Sequence, residues 1–220
     1  MARKISGGPI RNTEKTKAKI IAAVGKVLCK YGYEGLRSSY IAKEAKVDAK
    51  LLVYYFGDLN NLINTYIRSK EYLNNFPQDI IQKVNALEGL RPDALEAVME
   101  HQFESLLSSI ETQKFVHWQL GEANDALRQI AGGREAMAVE LFKKADKVFD
   151  GTDVDFGAMY AIMVGSMYST LLHTFNGIGG ALYGLDLKLP ADRGRIKKEI
   201  ARLIKLSYED AKKQRKKSIK

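Results

Sequence analysis

Apolar positions along this chain recur at helical spacing, and the strict alternation of a half-buried strand is nowhere sustained. Ile20, Ile21, Ala23, Val24, Val27, Leu28 and Tyr31 form one stripe, which predicts a helix from Thr13 to about Tyr31, ended by Gly32. Arg37 to Ala45 reads as a second helix, with Ile41, Ala42 and Ala45 on its apolar face and Val47 plugging the turn that follows. Asp48 is a good N-cap for a third short helix, because its carboxylate can accept the free amides of a first turn. That helix should run to about Tyr55, with Leu52 inward alongside Val53 or Phe56, and with Ala49, Lys50, Leu51 and Tyr54 outward. Asp58 can cap a fourth helix to about Phe76, carried by Leu62, Ile63, Tyr66, Ile67 and Leu73.

Beyond Pro77 the pattern predicts a short segment from Gln78 to Leu87, a break at Glu88 to Pro92, and a helix from Asp93 to Ile110. Another should cover Thr112 to about Ile130, with an interruption at Gly121 left open. Gly132-Gly133 then separates it from a helix over Arg134 to Phe149. A long apolar helix at 156–176, a glycine-rich connector to Pro190 and a last helix from Asp192 to about Lys212 complete an all-α reading. Residues 156–185 contain no Asp, Glu, Lys or Arg, a run of 30. That exceeds the ~20 residues of a membrane span, but Ser166, Ser169, Thr170, His173, Thr174 and Asn176 interrupt it, and Gly177, Gly179, Gly180 and Gly184 break its second half. A helix covered on all sides within a protein assembly accounts for it better. Gly157, Ala161, Gly165 and Ser169 line one side at four-residue spacing, with Met159, Ile162, Met163, Met167 and Leu171 expected opposite. The last helix carries Ile196, Ile200, Leu203, Ile204 and Ser207. Two such faces suggest a helical dimer interface, with packing inside one chain as the alternative.

Two helices of about two turns, joined by a tight turn, form a helix-turn-helix, a unit that holds its second helix in the DNA major groove. Charge supports this. Residues 1–70 hold 14 Lys/Arg against 5 Asp/Glu, residues 71–210 hold 15 against 21, and residues 211–220 add six basic residues and no acid. A cationic module in front of an acidic body is the footprint of a protein that meets phosphates with one end. Residues 1–12, containing Gly7-Gly8-Pro9, read as a flexible basic arm. Lys50 can donate to guanine edges or phosphate, and Ala49 or Leu51 can touch a thymine methyl. Tyr54 and Tyr55 offer hydroxyls to phosphate oxygens. Ser38 and Ser39 sit in the first turn of the second helix, where amides and hydroxyls can hold a phosphate, and Lys46 adds a cation in the turn.

The same stretch resembles the TetR family of bacterial transcriptional regulators. The resemblance is carried by Gly32, Gly35-Leu36, Ser38-Ser39, Ile41-Ala42, Ala45, Val47, Leu52, Tyr54-Tyr55-Phe56 and Leu62, after a helix with the family's first-helix pattern. It covers residues 13–66. Three positions depart from the family: Lys46 stands at the usual turn glycine, Val53 at a usual tyrosine, and Leu59 at a usual backbone-contacting lysine. The resemblance implies a helix-turn-helix DNA-binding domain at 1–57 and a larger effector-binding and dimerisation domain at 58–220. It also implies that the last two long helices of two subunits form a four-helix bundle, and that the second domain holds a small-molecule pocket. Met99, Phe103, His117, Trp118, Met137, Met163 and Met167 are the candidate lining, since Met and aromatic side chains adapt to varied ligands.

Other chemistry lacks sequence support. His101, His117 and His173 show no metal-ligand spacing, no cofactor motif is present, and neither a nucleophile elbow nor a phosphate-cradling loop occurs. Glu96, Glu100 and Glu104 read as a solvated helix face. Cys29 is the one cysteine, so no intramolecular disulfide can form, and with no secretory pattern at the start a cytosolic setting is expected. The reading is a homodimeric, DNA-binding, non-enzymatic regulator, a repressor released by a small-molecule effector and associated with the bacterial nucleoid. Its partners are an operator duplex and a second copy of the chain, with no membrane. The alternatives are a DNA-binding or architectural protein governed by a protein partner, and an all-helical enzyme or carrier.

Overall fold

The computed structural model describes residues 9–70, 82, 84, 86, 88–176 and 179–218. The arm before Pro9, residues 71–76 of the expected fourth helix and most of the expected segment from Gln78 to Leu87 lie outside the described residues, and the fourth helix ends at Arg68, with Ser69 and Lys70 in a turn. Nine α-helices are found among the described residues: α1 Pro9–Tyr31, α2 Ser38–Ala45, α3 Ala49–Phe56, α4 Leu59–Arg68, α5 Pro92–Ser108, α6 Ile110–Gly121, α7 Asp125–Phe149, α8 Phe156–Asn176 and α9 Pro190–Ser218. A 3-10 turn covers Tyr33–Gly35. The fold is all-α, and its one described β-bridge, Leu182 with Leu185, closes a tight turn in the glycine-rich connector.

The chain divides into two compact units, one of residues 1–73 with 114–130, the other of 74–113 with 131–220. The first is organised by α1, whose Ile20, Val24, Val27 and Leu28 are buried. Against it pack α2 and α4, while α3 packs on α2 and α4. Phe115, Trp118, Ala126 and Leu127 belong to the same apolar core. Trp118 stacks on Tyr33 at 6.4 Å and meets Phe115 edge-on at 6.3 Å, and its indole N–H donates to Glu122 at 3.1 Å. Gly35 is required by proximity: a Cβ there would collide with the Cβ of Tyr31.

The break between α6 and α7 falls at Glu122 to Asn124, and α7 runs without interruption through Gly132-Gly133. Asn124 decides the place. Its Oδ1 accepts the amides of Ala126 at 2.9 Å and Leu127 at 3.2 Å, which is an N-cap. Interior glycines weaken a helix by only about 1 kcal/mol each, too little to end one of 25 residues. At the front of the chain α1 begins at Pro9, inside the expected basic arm, and proline suits a first helical turn. The last helix is longer than its apolar stripe and extends through the basic run to Ser218.

In the second unit α5 buries Leu95, Val98, Met99, Phe103 and Leu106 and packs against both α8 and α9. Phe142, Phe149, Phe156, Tyr160 and Tyr208 join in a ring cluster with neighbouring centroids 4.8–6.0 Å apart. Two phenols in it find partners: the Tyr208 hydroxyl donates to the Leu90 carbonyl at 2.8 Å, and Gln102 Nε2 donates to the Tyr160 hydroxyl at 2.7 Å. The carboxylates of Glu100 and Glu104 converge on Lys197 of α9, Glu100 at 2.9 Å. That face of α5 is thus an inter-helix ion-pair site rather than merely solvated.

Burial raises the Tyr160 phenol to about 12, against the smaller opposing effect of its hydrogen bond from Gln102. Burial pushes Tyr208 up as well. A folded-state value above the unfolded one means that stability is fully present below pH ~10 and falls as the unfolded chain ionises first. Melting temperature should therefore drop between pH ~10 and ~12. Tyr160→Phe should flatten part of that slope while lowering neutral-pH stability by about 1 kcal/mol through the lost hydrogen bond. Thermal melts followed by circular dichroism across that window measure both effects, and an unchanged slope would refute the assignment.

Candidate nucleic-acid interface

The geometry of the helix-turn-helix follows from which side chains enter the core. Ile41, Ala42 and Ala45 of α2 and Leu52 of α3 are buried, and Val47 packs against them from the turn. Between the helices Lys46 adopts φ 52°, ψ 50°, the left-handed conformation, with its N–H turned back to Ala42 and Lys43. This is the conformation that glycine adopts without steric cost and that a residue with a Cβ adopts at about 1–2 kcal/mol. Val47 N–H then donates to the Ala42 carbonyl at 3.1 Å, which completes the helix stop.

The N-termini of the three short helices differ. Asp48 Oδ1 accepts Lys50 N–H at 2.8 Å and caps α3, and Asp58 Oδ1 accepts Asn61 N–H at 2.7 Å and caps α4. At α2 the cap position is Arg37, extended and without a side-chain cap bond. The first amides of α2, with the hydroxyls of half-buried Ser38 and exposed Ser39, are left for an outside acceptor. A helix N-terminus with free amides and a positive dipole end suits a phosphate.

On α3 the structure brings Ala49, Lys50 and Tyr54 to the outside as expected, with Leu51 and Tyr55 half-buried at the edges. Val53 was expected among the inward candidates, but it is 60% exposed. With Leu52 buried, the next residue lies about 100° further round the helix, and Phe56 takes the remaining inward place. The outward ridge is Ala49, Lys50, Val53 and Tyr54, at spacing i, i+1, i+4, i+5. Tyr54 is the most exposed of the four at 78% and lies edge-on to Tyr55 at 5.0 Å. Sequence reasoning also passed over Arg37, Tyr40 and Lys43, all exposed on α2 or at its cap, with Tyr40 against Tyr31 at 5.1 Å. Their signal was position alone: Arg37 and Tyr40 lie between buried Leu36 and Ile41, and Lys43 between buried Ala42 and Ala45. Lys46 and Lys50 complete a set of four exposed cations on this segment, none of them in an ion pair among the described residues.

The residues expected to line a ligand pocket are divided between the two units. Met99 and Phe103 of α5 and Met163 and Met167 of α8 are buried on helices that pack together in the second unit. Trp118 is part of the first unit's core, and His117 is exposed. Met137 lies on α7, and its side chain is outside the described residues. Ile162, expected beside Met163 and Met167, points the other way and is 70% exposed. Among the described residues there is no group of three or more His, Cys, Asp or Glu able to hold a metal ion, and no helix long and apolar enough to cross a membrane.

Replacing Lys46 by glycine should relieve the left-handed strain, and part of that gain is offset because glycine also frees the unfolded chain. We expect Lys46→Gly to stabilise the protein by about 0.5–1 kcal/mol, read as a higher denaturation midpoint. A lower midpoint would show that the lysine side chain supports the turn in some other way.

No known protein-family model matches the chain, and no curated protein sequence does. Solved structures do match it. The chain is similar to HlyIIR, a hemolysin II transcriptional regulator, with TM-score 0.56 and 18% identity, over 88% of this chain and 97% of that one. It is similar to the fatty acid degradation regulator FadR from Bacillus halodurans, with TM-score 0.59 and 17% identity, over 85% and 96%. It is also similar to a TetR-family member from Streptomyces coelicolor, with TM-score 0.52 and 19% identity, over 86% and 98%. These likenesses span both units, so the resemblance read in residues 13–66 holds for the fold of the chain at large.

Proposed function

We propose that this all-α chain with the fold of TetR-family regulators is a DNA-binding transcriptional regulator, not an enzyme, working as a homodimer. The observation that carries the reading is the α3 ridge. An eight-residue helix is pinned by one buried leucine and an aspartate cap, and it presents a lysine, a tyrosine and two small apolar side chains outward. That mixture matches a major-groove edge, where donors read guanine and apolar groups read the thymine methyl. Arg37, Lys43, Lys46 and the uncapped start of α2 supply the phosphate contacts that set register.

The dimer rests on α8. Gly157, Ala161, Gly165, Ser169 and Ile162 are all exposed on a helix that carries no charge, an unusual surface for a chain in water. A two-fold interface of close-packed helices would cover it. The effector response belongs to the second unit, where buried Met99, Phe103, Met163 and Met167 supply adaptable apolar surface. Gln102 Oε1 is buried there with no hydrogen-bond partner among the described residues, an acceptor that suits a neutral or cationic ligand with a donor group. A ligand that favours one separation of the paired α3 helices would lower affinity for the operator by population shift, which makes the protein a repressor. A second reading, regulation without a small molecule, draws on the place of Trp118, which fills the first unit's core instead of lining a pocket.

Two experiments test this. Selected-sequence binding should find a duplex whose affinity falls steeply with salt, and Lys50→Ala with Tyr54→Ala should each weaken it about tenfold or more with the fold intact. Unchanged affinity in both variants would remove the ridge from the interface. A Cβ at Gly165 meets nothing within 4 Å in the single chain, so Gly165→Leu has room unless a partner covers it. It should shift the assembly towards monomer in light scattering, whereas a wild type that is monomeric at micromolar concentration would end the dimer proposal.

A further inference from the structure

The basic run at the end of α9 is not accounted for by the helix-turn-helix. Lys212, Lys213, Lys216 and Lys217 stand at i, i+1, i+4, i+5 and are all exposed, with no ion pair among the described residues. They lie on an anchored helix end. Ala211 is buried, Gln214 Oε1 accepts Asp153 N–H at 2.7 Å, and Arg215 Nη2 donates to the carbonyls of Lys147 at 3.1 Å and Asp150 at 3.0 Å. The helix dipole favours cations in a last turn, which accounts for Lys216 and Lys217 but not for Lys212 and Lys213, which lie further up the helix. Like charges at i, i+4, as in Lys212 with Lys216 and Lys213 with Lys217, oppose helix formation. The nearest acids on the helix, Glu209 and Asp210, precede the run, and Asp210 accepts Gln214 Nε2 at 3.1 Å. The four lysines therefore repel one another on a fixed frame, offset only in part by Glu209 at i, i+3 from Lys212 and i, i+4 from Lys213, and none of them is in an ion pair among the described residues.

We propose that this lysine face binds the phosphate backbone of duplex DNA without reading sequence, as a contact separate from the α3 ridge. It rests on the DNA-binding reading above. Charge complementarity selects a polyanion. The character of the face selects duplex over the other polyanions: between Lys212 and Lys217 no aromatic residue offers a base a stacking surface, as single strands require. No exposed apolar side chain is there to enter a bilayer either, as interfacial helices require.

The experiment uses the full chain and a random-sequence duplex, with binding measured across a salt series. Each neutralised phosphate contributes about −0.9 to the slope of log affinity against log salt. The fourfold variant Lys212→Gln, Lys213→Gln, Lys216→Gln, Lys217→Gln should lower the steepness by roughly three to four and leave helix content and melting temperature at or above wild type. The same change in a Lys50→Ala, Tyr54→Ala background should remove most remaining affinity for the random duplex. An unchanged slope in a variant whose parent binds DNA overturns the proposal alone. So does a loss seen only with phosphatidylserine vesicles. A parent with no affinity for any duplex overturns the DNA-binding reading and this proposal together.

Discussion

The burial of one face of α1 is the constraint on which the outward ridge of α3 depends. Ile20, Val24, Val27 and Leu28 make the floor on which α2 and α4 rest, and α3 is held by α2 and α4 in turn. Each buried aliphatic side chain contributes about 1.5–3 kcal/mol, against about 1 kcal/mol for a cap such as Asp48. Packing therefore sets the orientation of α3, and the cap sets where it starts. Once Leu52 is committed to the core, the positions of Ala49, Lys50, Val53 and Tyr54 follow from helical geometry alone. The same packing tolerates the left-handed Lys46, because the inward places of Ala45 and Val47 on either side hold the turn.

Much of the first unit was legible in the sequence because local and global signals agreed there. A 3.6-residue stripe and a stopping glycine at Gly32 marked the end of α1, and two aspartate caps marked the starts of α3 and α4, whereas α4 stops at Arg68, short of the expected Phe76. Lys46 at a glycine position pointed to the turn before its dihedral angles were known. The part of the first unit that was not legible lies far away in sequence. Phe115, Trp118, Ala126 and Leu127 join its core, yet no periodicity reveals which of several cores a distant helix will enter. Their aromatic and apolar character was compatible with a ligand pocket and with packing alike.

Errors of placement in the second unit have the same origin. Ile162 and Met163 are adjacent and equally apolar, so their hydropathy does not say that one is exposed and the other buried. Gly132-Gly133 looked like a boundary because glycine is a poor helix former, while the stronger signal, the Asn124 cap, was the quieter one in sequence. Val53 shows the reverse case: β-branched and apolar, it suggested the interior, whereas the angular step from Leu52 put it outside.

Trp118 has a spectroscopic consequence. It is the chain's one tryptophan, and it is packed between Tyr33 and Phe115 with its N–H held by Glu122. Indole emission is therefore a local gauge of the first unit's core. An unfolding curve drawn from that emission reports one unit, while calorimetric heat counts both. The difference between the two midpoints is a direct measure of how far the units melt as one cooperative block.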